Sequence, residues 1–148
     1  MKIVHAADIH LDSPLRGLVR YEGAPVERIR GATRRALENL VALCEQEQAA
    51  LLLIAGDLFD GDWRDYSTGL FFVAQMARLR QIGTRVVMLR GNHDAESQIA
   101  SKLRLPDNVR ELATRKAETA VFEELGVAVH GRGFPTRKVV DDIAAHYP

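Results

Sequence analysis

The chain has 148 residues, of which 47% are hydrophobic and 27% are charged, proportions typical of a soluble globular protein with one compact domain. Its 20 acidic residues balance its 20 basic residues, so the net charge gives no indication of nucleic-acid binding. The single cysteine excludes an intramolecular disulfide, and no apolar segment approaches the roughly 20 residues that span a bilayer. An acidic residue at position 8 comes too early for a secretory signal, which favours a cytoplasmic location.

Three short apolar segments are predicted to be β-strands: residues 3–7, 51–55 and 86–89. Between the first two, residues 25–48 repeat apolar side chains at spacings of three and four, which predicts a long amphipathic helix. A second helix is predicted from Ser67 or Thr68 to Gln81, with Gly83 at its C-terminal end. This alternation of strands and helices favours an α/β fold with a parallel sheet and right-handed crossovers.

The pattern is weaker after Asp94. A short helix is predicted near residues 97–103, and a turn follows at residues 106–108. Further strands are predicted at residues 109–112, 119–123 and 127–130, with Leu125-Gly126 joining the last two as a hairpin. A final helix is predicted over residues 137–146, with Thr136 as its N-cap.

Polar residues follow each of the first three predicted strands. Asp8-Ile9-His10 comes after the first, Gly56-Asp57 after the second, and Gly91-Asn92-His93-Asp94 after the third. Ligands bind beyond the carboxyl ends of parallel strands in open α/β sheets. The three segments are therefore expected to converge on one site.

The residue types in these segments are those that bind divalent cations. Asp8 and His10 are separated by one residue, so in an extended segment their side chains lean to the same side and can hold one ion. Asp57 has two carboxylate oxygens and is suited to bridge two ions, and Asn92 supplies an amide oxygen to the second. The sequence therefore predicts a two-metal site.

Two ions roughly 3.5–4 Å apart clamp a phosphate and lower the pKa of a bridging water. The leaving-group oxygen then needs a proton, and His93 is the predicted donor, with Asp94 predicted to orient its ring. Gly56 and Gly91 are expected to let the backbone turn sharply and approach the ions.

These motifs resemble those of the calcineurin-like metallophosphoesterase superfamily, namely Asp-x-His, Gly-Asp and Gly-Asn-His-Asp/Glu, and the resemblance covers the whole chain. Residues 3–12, 56–60 and 91–94 look like the corresponding segments of bacterial SbcD nucleases. The stretch His10-Leu11-Asp12-Ser13-Pro14-Leu15 is closest to the YhaO-like branch of DNA repair exonucleases.

The resemblance implies a layered α/β sandwich, with a first parallel sheet, flanking helices and part of a second sheet. It implies that Asp8 and His10 hold the first ion and that Asp57 bridges the two ions. It further implies that Asn92 holds the second ion and that His93 assists the leaving group. Manganese as cofactor, a DNA phosphodiester as substrate and an SbcC-type coiled-coil ATPase as partner follow from the same resemblance.

The sequence departs from the superfamily pattern after Asp94. No Gly-His or Gly-His-x-His motif follows, since His130 comes after Val129 and His146 falls in the predicted final helix. Three histidine ligands are therefore missing, and residues 1–148 are expected to be the N-terminal part of a nuclease domain that is truncated in this chain. The chain alone is expected to have little or no activity, and an open sheet edge or apolar face would favour homodimers or aggregation.

Arg16 and Arg90 lie close to these segments and are candidate contacts to a phosphate backbone, although solvated surface arginines look the same in a sequence. Two alternatives to a DNA nuclease stay open at this point. One is a phosphatase or nucleotide pyrophosphatase on the same scaffold. The other is a non-catalytic interaction module that keeps the sheet and loses the chemistry.

Overall fold

A four-stranded parallel sheet forms the centre of the computed structural model, which describes residues 1–13, 25–60, 65–97 and 103–147. The strands pair in chain order: β1 (Ile3–Ala6), β2 (Leu51–Ala55), β3 (Arg85–Leu89) and β4 (Val109–Glu111). Helix α1 (Val26–Glu47) connects β1 to β2, and helix α2 (Tyr66–Gln81) connects β2 to β3. The predicted α/β architecture with a parallel sheet is confirmed.

Both faces of the sheet are covered, which explains why its strands are apolar throughout. On β2, Leu52 and Ile54 pack with the two helices, whereas Leu51 and Leu53 pack against the opposite layer. That opposite layer is an antiparallel pair of strands, β5 (Glu118–Phe122) and β6 (Val127–Gly131). The three layers hold the carboxyl ends of β1, β2 and β3 at one edge of the molecule.

The ends of the two helices follow ordinary capping rules. The side chain of Asp65 accepts a hydrogen bond from the amide of Ser67 at 2.9 Å, so α2 begins one or two residues before the predicted start. Gly83 follows α2 with a φ of +80°, a conformation that glycine adopts readily. Neither helix is both long enough and apolar enough to span a membrane.

The C-terminal third differs from the prediction. The predicted hairpin is present, with a short 3₁₀ turn at Glu123–Leu125 between its strands. The predicted helix over residues 137–146 is wrong, because only a 3₁₀ turn at Ala144–His146 forms there. Val140 is 83% exposed while Val139 and Ile143 are partly buried, so the apolar residues at helical spacing do not pack as one buried face.

Two other expectations in this region have separate outcomes. Thr136 does not cap a helix, and its hydroxyl donates instead to the carbonyl of Lys138 at 3.0 Å. The short helix predicted near residues 97–103 falls mainly on residues 98–102, which lie outside the described residues. A 3₁₀ turn at Asp94–Glu96 precedes them.

Replacement of Phe72 by alanine tests the packing of α2 on the sheet. Phe72 is fully buried and its ring meets that of Phe59 edge to face, with centroids 6.0 Å apart. Phe72→Ala should lower the free energy of unfolding by about 3–5 kcal/mol, because it removes a large apolar side chain and leaves a cavity. The measurement is urea denaturation followed by circular dichroism.

Leu70→Ala is the matched control, since Leu70 lies on the same helix and is 67% exposed. It should change the free energy of unfolding by less than about 0.5 kcal/mol. Equal effects of the two substitutions would contradict the described orientation of α2.

Candidate metal centre

The segments that follow β1 and β2 run side by side and are joined through their backbones. The amide of Asp8 donates to the carbonyl of Gly56 at 3.1 Å, and the amide of His10 donates to the carbonyl of Asp57 at 3.0 Å. The amide of Leu11 continues this ladder to the carbonyl of Leu58 at 2.9 Å. The first two predicted motifs are therefore neighbours, as the strand order requires.

Two glycines let the third segment approach the second. Gly56 has a φ of +88°, and a Cβ on it would lie 2.8 Å from both N and Cα of Gly91. A Cβ on Gly91 would lie 2.5 Å from the amide nitrogen of Asp57 and closer still to its Oδ1 atom. Because no real side chain tolerates such distances, both positions require glycine for the two segments to meet.

Asp57 lies where the three segments converge. Its Oδ1 atom accepts a hydrogen bond from the amide of His93 at 2.9 Å. Asp8, His10 and Asp57 each offer a ligand atom, and these atoms lie within 4.8 Å of one another. Two carboxylates and one imidazole are a donor set that suits manganese, iron or zinc, so the residues present fit a divalent ion.

Asn92 lies on the third segment, next to the residues that contact Asp57. It lies between Gly91, which packs on Asp57, and His93, whose amide donates to Asp57. Its amide oxygen is therefore carried on the turn that adjoins the central carboxylate. Coordination of an ion by Asn92 stays a prediction.

The backbone of these segments is strained. Asp8, His10, Asp12 and Asp57 all have φ between +45° and +54°, the left-handed region that side chains other than glycine rarely adopt. Such conformations cost about 1–3 kcal/mol each and cluster at functional sites, where neighbouring structure holds them. Three of these four residues, Asp8, His10 and Asp57, are candidate ligands.

Asp60 lies between His10, a candidate metal ligand, and His93, the candidate proton donor. Its Oδ1 atom lies 3.1 Å from Nδ1 of His10 and 2.9 Å from Nδ1 of His93. The two imidazole rings meet edge to face with centroids 5.0 Å apart. One carboxylate oxygen therefore orients both rings.

The pKa of Asp60 reflects its contacts with the two histidines. Burial by itself would raise the pKa of Asp60, but hydrogen bonds from Ser13 and His10 and the charges of His10 and His93 outweigh it. The pKa of Asp60 is therefore below its ordinary value, and the carboxylate is ionised at neutral pH. The sequence places Asp60 at the end of the matched segment 56–60 but indicates no role for it, since its contact with His93 exists only in the folded chain.

Asp94 has a different environment from the one expected. It is buried, and its carboxylate accepts hydrogen bonds from the amides of Phe59 at 2.7 Å, Gly91 at 3.0 Å and Leu58 at 3.1 Å. Burial raises its pKa, against the opposing effect of these three bonds. The structure thus places Asp60 beside the His93 ring, while Asp94 ties the second segment to the third.

Of the two arginines that are candidate phosphate contacts, Arg90 lies among the described residues and Arg16 does not. The Arg90 guanidinium forms an ion pair with Glu111 on β4. The backbone carbonyl of Arg90 also accepts a hydrogen bond from the amide of Phe134 at 2.8 Å. Arg16 lies outside the described residues, so its contact with a phosphate backbone stays a prediction.

Comparison with known proteins gives a family match for the chain. A profile of the calcineurin-like phosphoesterase family matches residues 1–146. The chain is 30% identical over 150 residues to YhaO of Bacillus subtilis, which is named an uncharacterized metallophosphoesterase, and the match covers 99% of this chain and 37% of that protein.

Two further relatives carry more specific names. The chain is 31% identical to the DNA double-strand break repair protein Mre11 of Methanopyrus kandleri, across 88% of this chain and 30% of that protein. It is also 31% identical to the SbcD component of the SbcCD nuclease of Rhodobacter capsulatus, across 88% of this chain and 27% of that protein. The chain thus spans between about a quarter and two fifths of the length of these relatives.

Gly91→Ala tests the geometry of the centre. Its methyl group would collide with Asp57, so the candidate bridging carboxylate must move. We expect the affinity for Mn²⁺ to fall by at least about tenfold, as it does when the support of a ligand is lost. Isothermal titration calorimetry measures this change.

Gly31→Ala is the control, since Gly31 lies inside α1 and an added Cβ would meet only the flexible end of Arg35, at 3.1 Å. It should leave Mn²⁺ binding unchanged and raise the free energy of unfolding by about 0.5–1 kcal/mol. Wild-type affinity in Gly91→Ala would contradict the described contact between the second and third segments.

Proposed function

The chain belongs to the calcineurin-like phosphoesterase family, a family of hydrolases, and on that premise we propose that it carries the metal-binding part of a metal-dependent DNA phosphodiesterase. The observation that carries the proposal is the meeting of Asp8, His10 and Asp57 ligand atoms within 4.8 Å at the carboxyl ends of parallel strands. The left-handed backbone conformation of all three residues supports the proposal, because energetically costly conformations of this kind cluster at functional sites.

Each candidate ligand has an assigned place in the proposal. Asp8, His10 and Asp57, whose ligand atoms lie within 4.8 Å of one another, would hold a first ion. Asp57 together with the amide oxygen of Asn92 would hold a second. We propose manganese, because mixed oxygen and imidazole ligands suit it. Bound divalent ions supply Lewis-acid stabilisation of the phosphate and lower the pKa of a water.

His93 and Asp60 supply proton transfer in this proposal. With Nδ1 of His93 2.9 Å from Asp60, the carboxylate holds the proton on that nitrogen and leaves Nε2 to face the substrate. As a water molecule attacks the phosphorus and the ester bond breaks, protonated Nε2 donates its proton to the leaving-group oxygen and His93 becomes neutral. The Asp60 anion stabilises this protonated ring, so Asp60 acts as a positioning residue for His93.

The choice of DNA as substrate rests on the relatives. One is named for double-strand break repair and another as a component of the SbcCD nuclease. We therefore propose a role in DNA repair, with an SbcC-type coiled-coil ATPase as partner and a cytoplasmic location. Arg16 is the proposed phosphate contact, whereas the Arg90 guanidinium is already paired with Glu111.

The number of ligands sets the expected strength of the site. Among the described residues, the proposed first ion has three ligands, Asp8, His10 and Asp57. The proposed second ion is assigned two, Asp57 and Asn92. Two protein ligands are few for a stable transition-metal site. We therefore propose that this chain by itself binds one ion well and cleaves phosphodiesters weakly.

Calorimetric titration of the chain with Mn²⁺ tests the ligand assignment. We expect about one ion per chain, and no binding in Asp57→Ala, because that substitution removes the ligand that the two sites share. Cleavage of linear DNA by the same samples should be weak in the wild type and absent in the variant. Strong cleavage by the wild-type chain would contradict the ligand count.

Hydrolysis of small esters separates the proposed function from its alternatives. Bis(p-nitrophenyl) phosphate is a diester, and p-nitrophenyl phosphate is the matched monoester. A DNA phosphodiesterase should prefer the diester. Preference for the monoester, without cleavage of DNA, would favour a phosphatase, and ion binding without any hydrolysis would favour an interaction module.

Asp60→Asn tests the role of Asp60 in proton transfer. The amide keeps the shape of the side chain and removes the negative charge that stabilises protonated His93. The affinity for Mn²⁺ should fall, because Asp60 also orients the ring of His10. At saturating Mn²⁺, hydrolysis of the diester should still fall by about 10–100-fold, because His93 has lost its charged partner. Unchanged hydrolysis in this variant would show that Asp60 has no part in the reaction.

A further inference from the structure

Asp12 is a buried carboxylate at the end of the metal-binding loop, defined here as residues 8–12. It is 5% exposed, and both of its oxygens accept hydrogen bonds from Nε of Arg34 at 2.9 Å. The hydroxyl of Thr68 donates to the same carboxylate at 2.7 Å, and the backbone amide of Asp12 donates to the hydroxyl of Thr33 at 3.1 Å. Asp12 thus fastens the loop to α1 through Thr33 and Arg34 and to α2 through Thr68.

Arg34 is itself held in place. Its guanidinium lies over the ring of Phe71, 4.9 Å from the centroid, and donates to the hydroxyl of Ser67 at 3.3 Å. The planar guanidinium can stack on a ring while it donates two hydrogen bonds to a carboxylate. Because stacking already orients it, the side chain loses little further conformational entropy when these hydrogen bonds form. Asp12 therefore meets a fixed partner.

The metal-binding loop needs such a fastening. Asp8, His10 and Asp12 alternate in left-handed conformations with φ of +53°, +45° and +54°. Released from its surroundings, a chain with these side chains would relax to more favourable φ values. The backbone bonds to residues 56–58 hold one side of the loop, and Asp12 holds its end.

We propose that Asp12, Arg34 and Thr68 form a positioning clamp that keeps Asp8 and His10 in the conformation that binds the metal ion, an inference that rests on the proposed function. Within the described residues, the side-chain partners of Asp12 lie on the helices, so it acts on the ion through the loop. In this proposal, the ion pair between Asp12 and Arg34 keeps the metal site in shape.

An ion pair between α1 and α2, away from the metal-binding loop, provides the control. Nε and Nη2 of Arg78 on α2 donate to the carboxylate of Glu45 on α1 at 3.2 and 2.8 Å. This pair also joins the helices, but it lies towards the C-terminal ends of both. A merely structural role for Arg34 predicts that the two arginines behave alike.

The test compares Arg34→Met, Thr68→Val and Arg78→Met in the full chain. Calorimetry measures Mn²⁺ affinity, hydrogen exchange measures protection of the His10 and Leu11 amides, and thermal unfolding reports on stability. We expect Arg34→Met to weaken Mn²⁺ binding by about tenfold and Thr68→Val to weaken it less. Exchange at both amides should accelerate in these two variants, whereas Arg78→Met should match the wild type in affinity and exchange.

The outcomes separate the clamp from the proposed function. Absence of Mn²⁺ binding in the wild type would overturn the metal site, and the exchange data would still show whether the clamp holds the loop. Wild-type binding that stays unchanged in Arg34→Met and Thr68→Val would overturn the clamp alone. Equal losses in Arg34→Met and Arg78→Met would also overturn it, because they would trace the effect to general helix packing. Should Arg34→Met fail to fold, Thr68→Val carries the comparison.

Discussion

The close approach of Gly56 and Gly91 is the constraint on which the candidate site depends. A Cβ on either residue would collide with the backbone of the other segment or with Asp57. Because these side chains are absent, the segments after β2 and β3 touch, and the Asp57 carboxylate reaches the amide of His93. The first segment then joins through backbone hydrogen bonds from Asp8 and His10.

The layers beneath the site make this approach rigid. Alternate side chains of β2 and β3 enter the two apolar cores on opposite faces of the sheet, so the strand ends cannot shift without disturbing both. Two buried carboxylates also hold the segments in place. Asp94 accepts hydrogen bonds from three backbone amides, and Asp12 accepts hydrogen bonds from Arg34 and Thr68. The scaffold thereby stabilises the left-handed conformations that carry the candidate ligands.

The sequence predicts well what depends on short-range pattern. Strand and helix order, the hairpin and the grouping of Asp8, His10 and Asp57 all follow from periodicity and from the rule on strand ends. Roles that depend on tertiary contact were missed. Asp94 is adjacent to His93 in the chain, yet its 3₁₀ turn directs the carboxylate to backbone amides, and the distant Asp60 contacts the ring. The predicted final helix does not form, since an amphipathic helix needs one buried face, and Val140 is exposed while Val139 and Ile143 are only partly buried.

The central claim is that the three strand ends form one divalent-ion site, and paramagnetic broadening by Mn²⁺ tests it most directly. In ¹⁵N-labelled protein, substoichiometric Mn²⁺ should first remove the amide signals of Asp8, His10, Asp57 and His93, because broadening falls steeply with distance from the ion. Signals from the hairpin turn at Glu123–Leu125, which lies beside Arg85 at the opposite end of β3, should be the last to broaden. Broadening that begins elsewhere, or that spreads evenly over the chain, would contradict the account.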